Sequence, residues 1–146
     1  MIRSMLVATD GSVTANRAVE RAASLAARIG SRVDVVTAYQ PLRRLRVSGG
    51  GDNPELGEWA IARDAKADAV LQEACTTMRL AGVDATPHAR KGDPAEAILT
   101  LAEELGSDLI VVGNRGLSSA RRYLLGNVPD KVSHHAPCSV LIVNTG

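Results

Sequence analysis

Short apolar runs alternate along the chain with longer stretches in which apolar residues recur at helical spacing. Five runs read as strands. The first, residues 2–9, stops at Asp10-Gly11-Ser12, and the second, residues 32–38, is rich in β-branched residues. Residues 84–89 form a weaker third strand in which Pro87 marks an edge position. Residues 109–112 and 139–143 are continuous apolar runs, the pattern of strands covered on both faces of a parallel sheet. Between the strands lie helical stripes. Ala18, Ala22, Leu25, Ala26 and Ile29 share one face, closed by Gly30. Ala67, Val70, Leu71, Ala74, Met78 and Ala81 form a second stripe, closed by Gly82. Ala95, Ile98, Leu99, Ala102 and Leu105 form a third, opened by Asp93 as N-cap with Pro94 at the first helical position and closed by Gly106. A fourth, short helix is expected from about Val128 to His135.

The order βαβαβαβαβ predicts an α/β fold, a single doubly wound five-stranded parallel sheet with helices on both faces. Ligands of such sheets sit beyond the carboxyl ends of the strands. The segments there are Thr9-Asp10-Gly11, Ala38-Tyr39, Arg90 to Asp93, and the chain from Gly113 onward. Residues 40–57 break the pattern with Pro41, Pro54, Gly49-Gly50-Gly51 and the basic run Arg43-Arg44-Leu45-Arg46. This stretch reads as a mobile loop, either a lid or a plain insertion. The 146 residues suit one domain, residues 1–146.

Composition narrows the function classes. With 45% apolar residues the chain can bury a core, yet no apolar run approaches the ~20 residues of a membrane span. The opening segment from Met1 to Leu6 has neither the charged lead nor the long apolar stretch of a signal peptide, so a cytoplasmic location is expected. A net charge of +1 and 2% aromatic residues give nucleic acid neither an electrostatic pull nor a stacking platform. Cys75 and Cys138 fit no redox or zinc spacing and read as small apolar residues.

The chemistry concentrates in Gly113-Asn114-Arg115-Gly116, nine further residues, and Gly126-Asn127-Val128. Glycines permit close backbone approach, and the last glycine opens a helix whose first turn offers N–H groups and a positive dipole end. Following a buried strand, this arrangement points to an anion site, with phosphate as the usual occupant. Asn127 is placed either to cap the helix or to donate its amide to a phosphate oxygen.

The spacing G-x2-G-x9-G followed by a small polar residue resembles the nucleotide signature of the ATP-binding branch of the universal stress proteins. Val7-Ala8-Thr9-Asp10-Gly11-Ser12, Leu109 to Gly113, and His135 to Val143 are similar to other motifs of that family. The resemblance implies strand order 3-2-1-4-5. It places adenine and ribose near Thr9, Asp10 and Ala38, and phosphates over Gly113, Asn114, Arg115 and Gly116 and against Gly126, Asn127 and Val128. Asp10 would bond ribose hydroxyls or help hold a divalent ion, roles compatible with a turn residue. Arg115 would pair with phosphate or simply occupy a loop tip. The family usually has Ser or Thr where Asn127 stands, and the longer side chain crowds a triphosphate. Ligands implied are ATP, ADP, AMP or cyclic AMP, with Mg²⁺ accompanying a triphosphate.

No catalytic constellation accompanies the motif: there is no G-x4-G-K-[ST] and no G-x-S-x-G. His134 and His135 are adjacent and diverge by about 100° on a helix, so they do not converge on one metal. The expected function is therefore an adenine-nucleotide-binding regulatory protein of the stress response. The alternatives are a slow Mg²⁺-dependent ATPase and an interaction module that has lost the nucleotide. The resemblance also implies a homodimer through the last strand, residues 139–143, whose exposed edge otherwise invites uncontrolled pairing.

Overall fold

A computed structural model describes residues 1–40, 54–114 and 127–145. Nine elements follow in order: β1 (Ser4–Ala8), α1 (Val13–Ile29), β2 (Arg32–Tyr39), α2 (Pro54–Leu80), β3 (Ala85–Lys91), α3 (Pro94–Leu105), β4 (Leu109–Gly113), α4 (Asn127–His135) and β5 (Ser139–Val143). The strands form one parallel sheet in the order β3-β2-β1-β4-β5. This is the doubly wound α/β arrangement and the strand order expected.

The two faces of the sheet carry separate cores. On one face Met5, Val7, Val33, Val35 and Val111 meet α1 through Ala18, Ala22 and Ala26 and α2 through Leu71, Ala74 and Met78. On the other, Leu6, Val36, Ile110 and Val112 meet Ile98, Leu101 and Ala102 of α3 and Val132 of α4. Alternate residues of β1 and β4 thus face opposite helical layers, and both strands need apolar side chains throughout. Each fully buried Met, Leu, Ile or Val contributes on the order of 1.5–3 kcal/mol.

Local signals set the helix ends. Ser12 caps α1, its Oγ accepting from the Ala15 N–H, and Asp93 caps α3, its carboxylate accepting from the Glu96 N–H at 3.1 Å. Gly30 and Gly106 end the same helices in the left-handed conformation.

Three expectations need correction. The mobile loop expected over residues 40–57 does not reach Gly57, because Pro54 opens α2 and residues 54–57 are helical; Pro at the first helical position gives up an N–H that has no partner there. Residues 41–53, with the arginine run and the three consecutive glycines, lie outside the described residues. The stripes of α1 and α2 are shorter than the periodicity implies: Ile29 is exposed in the last turn, and Ala81 is exposed beyond the end of α2. Finally, although Val143 is buried in the α1 layer, β5 is not covered on both faces along its whole length. It ends the sheet, with Val140 and Ile142 half-buried against the α3 layer and Leu141 exposed on the opposite side. Pro87 lies on an edge strand, as expected, since among the described strands β3 pairs only with β2.

Candidate functional site

The winding of the sheet reverses between β1 and β4, so the carboxyl ends of β2, β1 and β4 are where a ligand of this architecture would lie. At the end of β1 the chain is held by a succession of short polar bonds. The Thr9 N–H donates to the Val36 carbonyl at 3.0 Å, which extends β1 along β2. The Thr9 Oγ1 accepts from the Gly11 N–H at 3.2 Å, and the Asp10 Oδ1 accepts from the Ser12 N–H at 2.9 Å. Asp10 therefore serves the turn, the role with which its expected ligand contacts are compatible. Thr9 is buried beneath this turn, while Asp10 is half-buried and faces a pocket.

That pocket encloses about 230 Å³ and is lined by Asp10, Thr37, Ala38, Tyr39, Gln40, Lys66, Ala67 and Val70. Small-ligand sites start at roughly 300 Å³, so the pocket is smaller than an ordinary small-ligand site. Its floor is the end of β2 and its far wall is α2. Lys66, Ala67 and Val70 were missed as lining residues in the sequence: Ala67 and Val70 read there as core, and Lys66 as nothing in particular. A helical stripe shows that a face is covered but not that one margin of it borders a cleft. A larger groove of about 670 Å³ runs between α2 and β3, from Asp68 to Arg79 along the helix. It lies on the flank of the sheet, away from the strand ends, so the smaller pocket is the better candidate despite its size.

On the other side of β1, Gly113 closes β4 opposite Val143, and the chain bends at Asn114. The Asn114 N–H donates to the Val143 carbonyl at 2.9 Å. Its side-chain carbonyl accepts from both the N–H and the hydroxyl of Thr145, at 3.0 and 2.8 Å. Both the backbone N–H and the side-chain carbonyl of Asn114 are thus engaged within the fold. Arg115, Gly116 and Gly126 lie outside the described residues. Asn127 is exposed at the first position of α4, one place inside that of a cap, and the Val128 side chain packs on the α3 layer. The ends of β1, β2 and β4 thus bring Thr9, Asp10 and Ala38 into line with Gly113 and Asn114, whereas Asn127 and Val128 come from the helical layer packed against α3.

Burial pushes both cysteine thiols above their ordinary range, with Asp108 adding to the rise at Cys138, so neither is an activated nucleophile. Among the described residues no three His, Cys, Asp or Glu side chains gather as a metal site, and no helix is long and apolar enough to cross a membrane.

Comparison with known proteins agrees with this architecture. The model of the universal stress protein family matches residues 1–144. A universal stress protein of Thermus aquaticus is 38% identical over 143 residues, which cover 98% of this chain and 99% of that one. One from Mycobacterium tuberculosis is 35% identical over 146 residues, covering 98% and 97%. A universal stress protein solved in complex with cAMP is 34% identical and superposes with a TM-score of 0.76 over 99% of this chain and 98% of its own. With a strand order, a glycine-bearing β4 end and a family match that span nearly its whole length, the chain belongs to the universal stress protein family.

Proposed function

We propose that this chain is a regulatory protein that binds an adenine nucleotide across the ends of β2, β1 and β4. The observation that supports this best is the pocket between β2 and α2, which borders Asp10 and Ala38 and lies across β1 from Gly113. The base and ribose would occupy the pocket near Thr9, Asp10 and Ala38. The phosphates would extend toward Gly113, Asn114, Arg115 and Gly116, and toward Gly126, Asn127 and Val128 at the start of α4. A relative solved with cAMP favours a nucleotide of this class. ATP is the ligand the glycine spacing favours, and Mg²⁺ would enter with its triphosphate.

Isothermal titration with ATP and with cAMP tests the reading, with Ala38→Leu as the variant that fills the pocket. Wild type is expected to bind at least one of the two, and Ala38→Leu to bind it at least about tenfold more weakly, or ~1.4 kcal/mol, with an unchanged circular dichroism spectrum. Silence of the wild type toward both nucleotides would sink the proposal and leave an interaction module. Steady release of phosphate from ATP would make the protein a slow ATPase.

The same reading makes the molecule a homodimer through β5, which ends the sheet and exposes Leu141 to 38%. Leu141→Lys places a charge on that edge without entering the α3 layer, where Val140 and Ile142 pack. Light scattering is expected to move from dimer to monomer mass in this variant. A dimer that persists would move the contact to another surface.

A further inference from the structure

The chain beyond β5 is not a loose end. Thr145 is 2% exposed although the strand stops at Val143. Its N–H and hydroxyl both donate to the Asn114 Oδ1, at 3.0 and 2.8 Å. Its carbonyl accepts from the Arg17 guanidinium at 2.7 Å. Asn114 adds a long contact from Nδ2 to the Asn144 Oδ1 at 3.5 Å.

The geometry explains how β4 and β5 part company. The ladder between them reaches Gly113 and Val143, and the Asn114 N–H carries it one bond further, to the Val143 carbonyl. The main chain then bends at Asn114. From there the Asn114 side chain supplies the acceptor that the next backbone carbonyl of a continuing strand would have supplied. The tail stays paired while the chain turns out of the sheet. Arg17 brings in α1, the helix that begins immediately after the Asp10-Gly11-Ser12 turn. One buried residue therefore joins the edge strand, the start of the glycine loop and the helix behind the Asp10 turn.

We propose that Thr145 is a positioning residue for Asn114 at the carboxyl end of β4, fixing the orientation of Gly113 and Asn114, the described part of the proposed phosphate site, and coupling them to edge strand β5. The proposal rests on the nucleotide reading above. A backbone cradle binds an anion in proportion to how far its shape is fixed before the ligand arrives. Freeing Asn114 would thus weaken binding although Thr145 need not touch the ligand.

The test compares wild type, Thr145→Val and Thr145→Ser by calorimetric titration with ATP and with cAMP, and by hydrogen exchange of the Asn114 amide against that of Val35 in the core. Thr145→Val removes the hydroxyl donor and keeps the N–H. It is expected to weaken nucleotide binding by about three- to tenfold and to speed exchange at Asn114 but not at Val35. Thr145→Ser should restore both. Unchanged exchange at Asn114 in Thr145→Val, or failure of serine to rescue, overturns the proposal. If wild type binds neither nucleotide, the binding reading fails, and exchange at Asn114 alone decides whether Thr145 anchors the end of β4. If Thr145→Val does not fold, Arg17→Met, which removes a guanidinium from an exposed residue, is read by the same exchange criterion.

Discussion

Gly11→Ala is expected to lower the free energy of unfolding by about 2–5 kcal/mol, from two separable causes. Gly11 has φ of 80°, in the left-handed region, where a residue with a Cβ costs roughly 1–2 kcal/mol. A Cβ at this position would also lie 2.6 Å from the Val70 Cγ2. Val70 cannot easily swing aside, because a β-branched side chain on a helix has one strongly preferred rotamer. Overpacking of this kind costs about 1–3 kcal/mol. Adding Val70→Ala should therefore recover the steric part of the loss and leave the backbone part. Urea unfolding of the two single variants and the double variant measures this directly as a coupling energy. If the two substitutions are simply additive, the contact with Val70 is not the cause. Because Asp10 and Val70 both line the pocket, the proposed nucleotide site predicts that the same variant binds ATP or cAMP more weakly than wild type in titration, by displacing the Asp10 turn.

His88→Leu is the second large effect. Asp34 is 4% exposed in the middle of β2, on the sheet face that also carries Leu6, Val36 and Ile110. Its Oδ1 meets the His88 Nε2 at 2.8 Å. Its Oδ2 has no hydrogen bond among the described residues, and the Arg32 Nε stands 3.9 Å away on a side chain that is 64% exposed. Leucine at position 88 would leave the buried carboxylate without its one short hydrogen bond, at a cost of about 1–3 kcal/mol. A double variant, Asp34→Val with His88→Leu, should regain most of that loss, since an apolar pair on an apolar face has no polar group to desolvate. Urea unfolding checks the order. A double variant no more stable than His88→Leu would show that the pair is not what the carboxylate depends on.

How much of this was legible in the sequence depends on the range of each interaction. The four helices and five strands follow from periodicity and caps that span a few residues, as at Asp93-Pro94 and Gly106. The start of α2 was missed although Pro54 is a helix-opening residue. Pro54 was read together with Pro41, the three glycines and the arginine run as one irregular stretch, and the apolar stripe becomes clear only from Ala67. The apolar composition of β5 suggested burial on both faces, but an edge strand has a helical layer over only part of its surface, and Leu141 is left exposed. The position of Asp10, Ala38, Gly113 and Asn114 at the carboxyl ends of β1, β2 and β4 was legible because the alternation of strands and helices implies a doubly wound order.

Their partners were not. Asn114 and Thr145 are 31 residues apart and Asp34 and His88 are 54 apart. Gly11 meets Val70 only because α2 packs beside α1 on the same face of the sheet. Periodicity states how an element is rotated about its own axis and which of its sides must be covered. The sequence by itself therefore determined the elements, their buried sides and the strand ends at which a ligand site could form. Which side chain covers which was decided by the strand order and by the crossovers that set α2 beside β2 and the tail of β5 beside Asn114. That choice belongs to the folded sheet, because it depends on pairings between segments that carry no local signal of one another.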